Sequence, residues 1–248
     1  MKDDEPSMTS EWDQHASSFA AGQTSEAISA ARQRFQQPED SDWRWLTDSL
    51  KDDNVKWFVA AVFKNYPVPK RLLDPFLRAA IHEANPSFNR QFVEPCIESY
   101  GHRRVNEFLL NVVEAGSDAE IAGAVAALYW ANMAISFSGD VPEYTLKYAT
   151  PESRTAFLEL KDVWERKRKA FLRVFVANED VTVRRQIVPS LNLDESNYGD
   201  ELKPLVKRAI TIAREHSDDY IRHRVEVQLG NEKLLRPIPE RSVEPAEE

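Results

Sequence analysis

The sequence predicts an all-α fold, an α-α superhelix built as a right-handed solenoid of about five helical hairpins with an N-terminal helical cap. Two observations lead to this prediction. A helix–turn–helix pattern recurs five times, with apolar residues at helical spacing on both sides of each turn. The 248-residue chain also has only seven glycines, too few for a β-rich fold with many tight turns.

Each copy of the pattern is a short polar turn followed by an anchor residue that opens a second helix. The anchors Val55, Phe88, Ile121, Val183 and Ile221 lie 33, 33, 62 and 38 residues apart, and each is expected to begin the buried stripe of its helix. Asp, Asn or Ser in the turn accepts hydrogen bonds from the unpaired amides at the helix start. Both helices of a hairpin carry an apolar stripe, so the hairpins must stack to bury them.

This pattern resembles the HEAT-repeat family, in which a turn containing Asp precedes a Val-Arg or Val-Lys pair. The match is best over residues 52–61, 179–188 and 217–227. Pro75 and Pro204, in first helices, are similar to the proline that kinks those helices in the family. The resemblance covers about residues 43–230 and implies a fold rather than an activity.

The chain also departs from the family pattern. Asn89 and Ala122 stand where the family has a basic residue, and Pro95 and Pro189 fall inside second helices. We expect one HEAT-like domain over residues 10–236, between disordered tails at 1–9 and 237–248. Two of its parts lie outside the repeat.

The first of these parts, residues 11–36, has apolar residues at helical spacing without the repeat turn and is expected to form a capping helix or helix pair. The second is an insertion at about 132–160. There the sequence predicts a loop over 136–150 with about one helical turn. A long helix should follow, capped by Thr150, with Pro151 in its first position, and running to about Val176.

Charge is unevenly distributed along the chain. Residues 1–42 carry a net charge of −6 and residues 237–248 one of −3, whereas 43–236 hold 28 basic and 28 acidic residues. A neutral body lacks the clustered positive charge on which nonspecific nucleic-acid binding depends.

No motif in the sequence points to an enzyme, so we expect no catalytic residue, metal or cofactor. The five histidines form no pair three or four residues apart, and there is no Gly-x-Ser-x-Gly motif. Iron-binding deoxyhypusine hydroxylase, a HEAT-like enzyme, uses several His-Glu pairs, whereas this chain has one, His82-Glu83. Cys96, the only cysteine, is expected to be a small buried thiol.

We expect a cytoplasmic protein that does not enter a membrane. A lone thiol suits a reducing compartment. The acidic N-terminus does not look like a secretion signal, and the apolar stretch from Ile121 to Phe137 is broken by Asn132.

A partner-binding surface is predicted where second helices turn away from the core. The residues two positions after each anchor are Trp57, Arg90, Gly123, Arg185 and His223, and nine positions after three of them come Lys64, Ile97 and Trp130. Trp and Arg are enriched where binding energy concentrates, so the hypothesis places a partner groove around Trp57, Arg90, Trp130, Arg185 and His223. The alternative is that the tryptophans pack between repeats and the arginines pair with turn carboxylates such as Asp53 or Asp180.

The favoured function is a nonenzymatic protein-interaction scaffold or regulator, with a partner protein of unknown identity and an oligomeric state that the sequence leaves open. The alternative is a nucleic-acid-binding helical-repeat protein of the alkylpurine DNA glycosylase type, for which Trp43, Trp45 and Asp48 are available. HEAT-like repeats also occur in bilin lyases, a third class. Steep weakening of binding with salt would favour the nucleic-acid alternative.

Overall fold

A computed structural model describes residues 10–231, and the regular structure there is helical apart from one isolated β-bridge between Phe137 and Ala149. The α-helices are α1 (Glu11–Ala20), α2 (Thr24–Arg34), α3 (Asp40–Ser49), α4 (Lys56–Phe63), α5 (Lys70–His82), α6 (Arg90–Ala115), α7 (Asp118–Trp130), α8 (Pro151–Glu159), α9 (Lys161–Ala177), α10 (Val181–Ile187), α11 (Lys203–Arg214) and α12 (Asp219–Gln228). The all-α prediction is confirmed for this range. The predicted tails at 1–9 and 237–248 lie outside the described residues.

All five predicted turns lie between helices: between α3 and α4, α5 and α6, α6 and α7, α9 and α10, and α11 and α12. Side-chain capping is as expected at three of them. Asp180 and Asp218 accept from the amides of Val183 and Ile221, and Ser117 forms a capping box at the start of α7. The helices after the first two turns begin without a side-chain cap.

The described residues divide into two compact units, the first ending at Lys167 and the second beginning at Arg168. In the described part of the first unit, helices pack on the helix two positions further along the chain: α2 on α4, α3 on α5, α4 on α6 and α5 on α7. Residues 11–36 form the predicted helix pair, α1 and α2, and both of these helices contact α4.

Gly101 divides α6 into two helical segments. Its φ of +76° and ψ of 164° form a backbone conformation that other residues rarely adopt, and the helix kinks there. The segment before Gly101 follows the turn after α5, and the segment after it precedes the turn to α7. One run of sequence thus supplies the second helix of one hairpin and the first helix of the next.

The core of the first unit is rich in phenylalanine. Phe63, Phe76 and Phe92 are fully buried, and their rings meet edge to face at 5.6 Å (Phe63 to Phe76) and 6.2 Å (Phe76 to Phe92). Each comes from a different helix, α4, α5 or α6. Burial of a phenylalanine stabilises a fold by about 1.5–3 kcal/mol, so these rings tie the consecutive hairpins together.

Two tryptophan–aspartate hydrogen bonds join α1 to α3. Trp12 donates to Asp42 and Trp45 donates to Asp13, both at 2.8 Å, and the two indoles stack at 5.3 Å. Each aspartate also accepts the backbone amide three residues before it. Arg34 pairs at 2.9 Å with Asp42, which is buried.

The residue after the anchor has a shared structural role in several hairpins. Asn89 donates to the carbonyl of Ala80 at 2.8 Å, and Arg184 donates to the carbonyl of Phe175 at 3.3 Å, each reaching nine residues back to the end of the preceding helix. Arg222 similarly donates to a carbonyl just after α11. Each bond ties the residue after the anchor to the end of the preceding helix or to the turn that follows it. Asn89 thus makes the same kind of bond as the arginines at the corresponding positions of two other hairpins.

The loop and the start of the following helix match the sequence prediction, but the length of that helix does not. Thr150 caps α8 by accepting from the Ser153 amide, Pro151 is its first residue, and a 3-10 helix at Leu146–Tyr148 precedes it. The prediction of one unbroken helix to about Val176 was wrong, because the helix breaks at Leu160, whose φ is −100° and ψ is 12°. Leu160 is buried, whereas α8 buries none of its residues.

Among the described residues, no helix is both long and apolar enough to cross a bilayer. The apolar stretch from Ile121 lies mainly in α7, whose residues Ala124, Val125 and Leu128 belong to the core.

Candidate partner-binding surface

Three of the five predicted partner-binding residues lie in one region of the first unit. Trp57 is in the first turn of α4, Arg90 is the first residue of α6, and Trp130 is the last residue of α7. The turn between α5 and α6 joins them, because it carries Pro86 and Phe88, which contact two of the three.

Phe88 connects α4 to this turn. Its ring lies edge to face with the Trp57 ring at 5.5 Å, and Trp57 also contacts the buried ring of Phe92 at 5.3 Å. Phe88 is 48% exposed and Trp57 is half-buried. Trp57 is thus held by the core on one side and offers its other side, with Phe88, to solvent.

Trp130 is fixed to the same turn by a hydrogen bond. Its indole nitrogen donates to the Pro86 carbonyl at 2.7 Å. The Arg90 guanidinium lies 5.6 Å from the centre of the Trp130 ring, a cation–π contact, and pairs with Glu94 at 2.6 Å. Half of the Arg90 side chain remains exposed.

Tyr129 extends this region beyond the predicted set. It is 67% exposed and packs edge to face on Trp130 at 5.0 Å. We call Trp57, Phe88, Arg90, Tyr129 and Trp130 the aromatic surface. Single exposed aromatics are common on proteins, but four that contact one another or a shared turn form a patch.

Sequence reasoning missed Phe88 and Tyr129. Phe88 was expected to begin a buried stripe, and this was wrong: it precedes Asn89, the N-cap of α6, and lies outside the helix. The stripe in α6 consists of Phe92, Val93 and Cys96, all buried. Asn89, a residue type common at N-caps, was the signal that could have placed Phe88 in the turn.

The other two predicted residues lie in the second unit. The exposed Arg185 pairs with Asp218 at 3.4 Å and lies 5.2 Å from the centre of the Tyr220 ring. The arginine thus has the kind of turn carboxylate partner that the alternative interpretation expected. His223 is exposed on α12.

Gly123 departs from the expectation that the second position after each anchor faces away from the core. A Cβ atom on Gly123 would come within 1.9 Å of the Ile81 carbonyl oxygen. The missing side chain therefore allows α7 to approach the backbone of α5 closely, and this position packs instead of offering a contact.

Two adjoining grooves lie beside Trp57, between α2 and α4. The apolar groove, about 440 Å³ in volume, is lined by Phe19, Thr24, Ile28, Trp57, Ala60, Ala61, Lys64, Phe88 and Gln91. The polar groove, about 760 Å³, is lined by Ser25, Ile28, Ser29, Arg32, Gln33, Gln36, Ala61, Lys64, Asn65 and Tyr66. They share Ile28, Ala61 and Lys64, so they are continuous along α4.

Arg32 and Lys64 are the charged residues among those that line the two grooves, and both are basic. Arg32 donates to the carbonyls of Val62 and Lys64 at 2.8 and 2.7 Å and lies 5.2 Å from the centre of the Tyr66 ring. These contacts satisfy the last carbonyls of α4 and hold the guanidinium in place. Lys64, the C-cap residue of α4, is exposed.

A third cavity, of about 430 Å³, lies between α3 and α5. Its buried Lys56 bonds to Asp53 and, at 2.7 Å, to Glu83. Burial acts to lower the pKa of Lys56, but the hydrogen bonds to the two carboxylates and their negative charges together outweigh it and raise the pKa. The ammonium of Lys56 thus already has two carboxylate partners.

Residues considered for chemistry have structural partners. Burial raises the pKa of Cys96, and the nearby charge of Asp74 adds to the effect, so the thiol is not activated. Trp43, considered for base recognition, packs on Phe35 and Arg71, and Trp45 stacks on Trp12. Within residues 10–231, no three His, Cys, Asp or Glu side chains are grouped to hold a metal ion.

Comparison of the chain with protein-family models, with curated proteins and with solved structures gave no match.

Proposed function

We propose that this chain is a nonenzymatic protein-interaction module that binds a partner protein through the aromatic surface. The observation that carries the proposal is the joining of Trp57, Phe88, Arg90 and Trp130 around one turn, with Phe88 and Tyr129 exposed. Trp, Tyr and Arg concentrate binding energy in protein interfaces. Rings already held in place also lose little conformational entropy when a partner docks.

The proposal includes a scaffold of HEAT-like hairpins stacked as a right-handed α-α superhelix. The recurrence of the turn and the shared role of Asn89, Arg184 and Arg222 support equivalence of the hairpins. The packing of each hairpin on the next in residues 10–167 supports stacking. Stacked repeats present long surfaces for macromolecules, which suits a binding role.

The proposed location is the cytoplasm, because the one cysteine is buried and unpaired. We also predict that Arg185 and His223 bind the partner, because each lies two positions after an anchor residue.

A quantitative capture experiment tests the proposed function. The tagged chain is recovered from its native source, with and without nuclease, as wild type and as the Trp57→Ala and Arg90→Glu variants. We expect a stoichiometric partner protein that survives nuclease and whose recovery falls by about tenfold in either variant. Tyr144→Ala, which removes a 74% exposed tyrosine outside the aromatic surface, is the matched control and should recover the partner in full.

Two outcomes would contradict the proposed function. Loss of every partner on nuclease treatment would favour the nucleic-acid-binding alternative. If Tyr144→Ala loses as much partner recovery as the two surface variants, the aromatic surface is not the binding site. Thermal unfolding of each variant checks that recovery is compared between folded proteins.

A further inference from the structure

We infer that the apolar and polar grooves together bind an acidic segment of the partner protein that also carries apolar side chains. This inference rests on the proposed function and adds the chemistry of the partner. It concerns the α2–α4 side of Trp57, and Trp57 and Phe88 belong both to the apolar groove and to the aromatic surface.

The shape of the grooves suits a linear segment rather than a compact ligand. The apolar groove is lined by Phe19, Ile28 and Trp57 among others, and it continues into the polar groove along α4. An open apolar groove between helices is the form that receives the apolar face of a helical or extended peptide. The aromatic residues would bury the apolar side chains of that segment.

The charge of the grooves determines whether the segment that binds there should be acidic or basic. Among the described residues that line them none is acidic, while Arg32 and Lys64 are basic. This sets the grooves apart from the chain as a whole, which has a net charge of −9. A positive groove on an acidic protein favours Asp and Glu in the segment that enters it, and disfavours basic segments.

Arg32 gives this charge a fixed position. Its guanidinium is held by two carbonyls of α4 and by the Tyr66 ring, so little side-chain entropy remains to be lost on binding. Lys64 lies on the stretch shared by both grooves, where a carboxylate of the segment would meet it as apolar side chains enter beside Trp57.

Selection from a random peptide library tests the inference. A displayed library of fourteen-residue peptides is selected on the full chain, and enriched peptides are synthesised and their Kd values measured by fluorescence anisotropy. We expect enriched peptides to combine excess Asp and Glu with apolar residues. Lys64→Glu should weaken their binding by about tenfold, and raising the salt concentration should also weaken it.

Lys161→Glu is the matched control, because it reverses an exposed lysine of the same unit outside both grooves. It should change the Kd by less than about twofold. Enriched peptides without an acidic excess, a Lys64→Glu effect no larger than that of the control, or no enrichment at all would overturn the inference.

The same assay also detects other ligands that could occupy the grooves. A synthetic peptide of residues 1–9 and a single-stranded oligonucleotide are measured in the same assay. The inference is overturned if either of these ligands binds, Lys64→Glu weakens that binding, and the selected peptides do not bind. If peptides fail while Trp57→Ala and Arg90→Glu still lose the native partner, the inference alone falls and the proposed function stands.

Discussion

Tryptophan in this chain has opposite roles that depend on the partner of each indole. Trp12 and Trp45 donate to Asp42 and Asp13 and join two helices. Trp130 donates to a turn carbonyl and leaves its ring beside Arg90 and Tyr129. The sequence shows where each tryptophan lies in the helical pattern, but the acceptor of each indole comes from a distant part of the chain. Residue type alone therefore could not separate structural from surface tryptophans.

The hydrogen bonds of Asp13 give a prediction at the residue scale. Asp13→Ala removes both the acceptor of the Trp45 indole and the capping box of α1. We expect it to lower the free energy of unfolding by about 1–2 kcal/mol, measured by urea denaturation. Asp48→Ala, which removes an exposed carboxylate paired with Lys51, should change it by less than about 0.5 kcal/mol.

The same site has a pH signature. The hydrogen bond from Ser10, followed by that from Trp45, lowers the pKa of Asp13 below its usual 3.8. A carboxyl with a lowered folded-state pKa contributes stability that is complete above its unfolded pKa and is lost as the pH falls through the folded one. The difference between wild type and Asp13→Ala should therefore be constant near neutral pH and shrink below about pH 4. A difference that grows on acidification would contradict this account.

At the scale of elements, local chemistry made the turns predictable. Asp180, Asp218 and Ser117 cap helices that begin where the sequence places them, because capping depends on neighbours within three residues. The break at Leu160 was not predictable in this way. Trp164 stacks on Phe157 across the break at 5.6 Å, and the burial of Leu160 depends on packing that helical periodicity does not report.

Gly101 gives a prediction for α6. An added Cβ would meet no atom within 4 Å, so a substitution there is opposed by the backbone conformation, with its φ of +76°, and not by crowding. We expect Gly101→Ala to lower the free energy of unfolding by roughly 1–3 kcal/mol. Gly101→Asn should cost about as much, because a ψ of 164° lies outside the left-handed helical region that asparagine tolerates. An unfolding free energy unchanged by both substitutions in urea denaturation would mean that the kink does not depend on this backbone conformation.

For the whole molecule, the sequence predicted the helical class and part of the candidate site. From the spacing of the repeat, Trp57, Arg90 and Trp130 were predicted to face away from the core. All three are exposed or half-buried, and the turn after α5 connects them. The spacing could not place Phe88, which precedes the N-cap of its helix, or Gly123, which packs on a neighbouring backbone. Both depend on how hairpins meet, which a pattern within one hairpin does not contain.

The central claim is that the aromatic surface touches a protein partner, and site-specific photo-crosslinking tests it most directly. The photoreactive residue p-benzoylphenylalanine replaces Phe88 in one sample and, as the control, Tyr144 in another; both are exposed aromatics of the first unit. After irradiation in the native source, we expect a covalent adduct with one protein from position 88 that persists after nuclease treatment, and little from position 144. An adduct from position 144 as abundant as that from 88, or one that nuclease removes, would contradict the account.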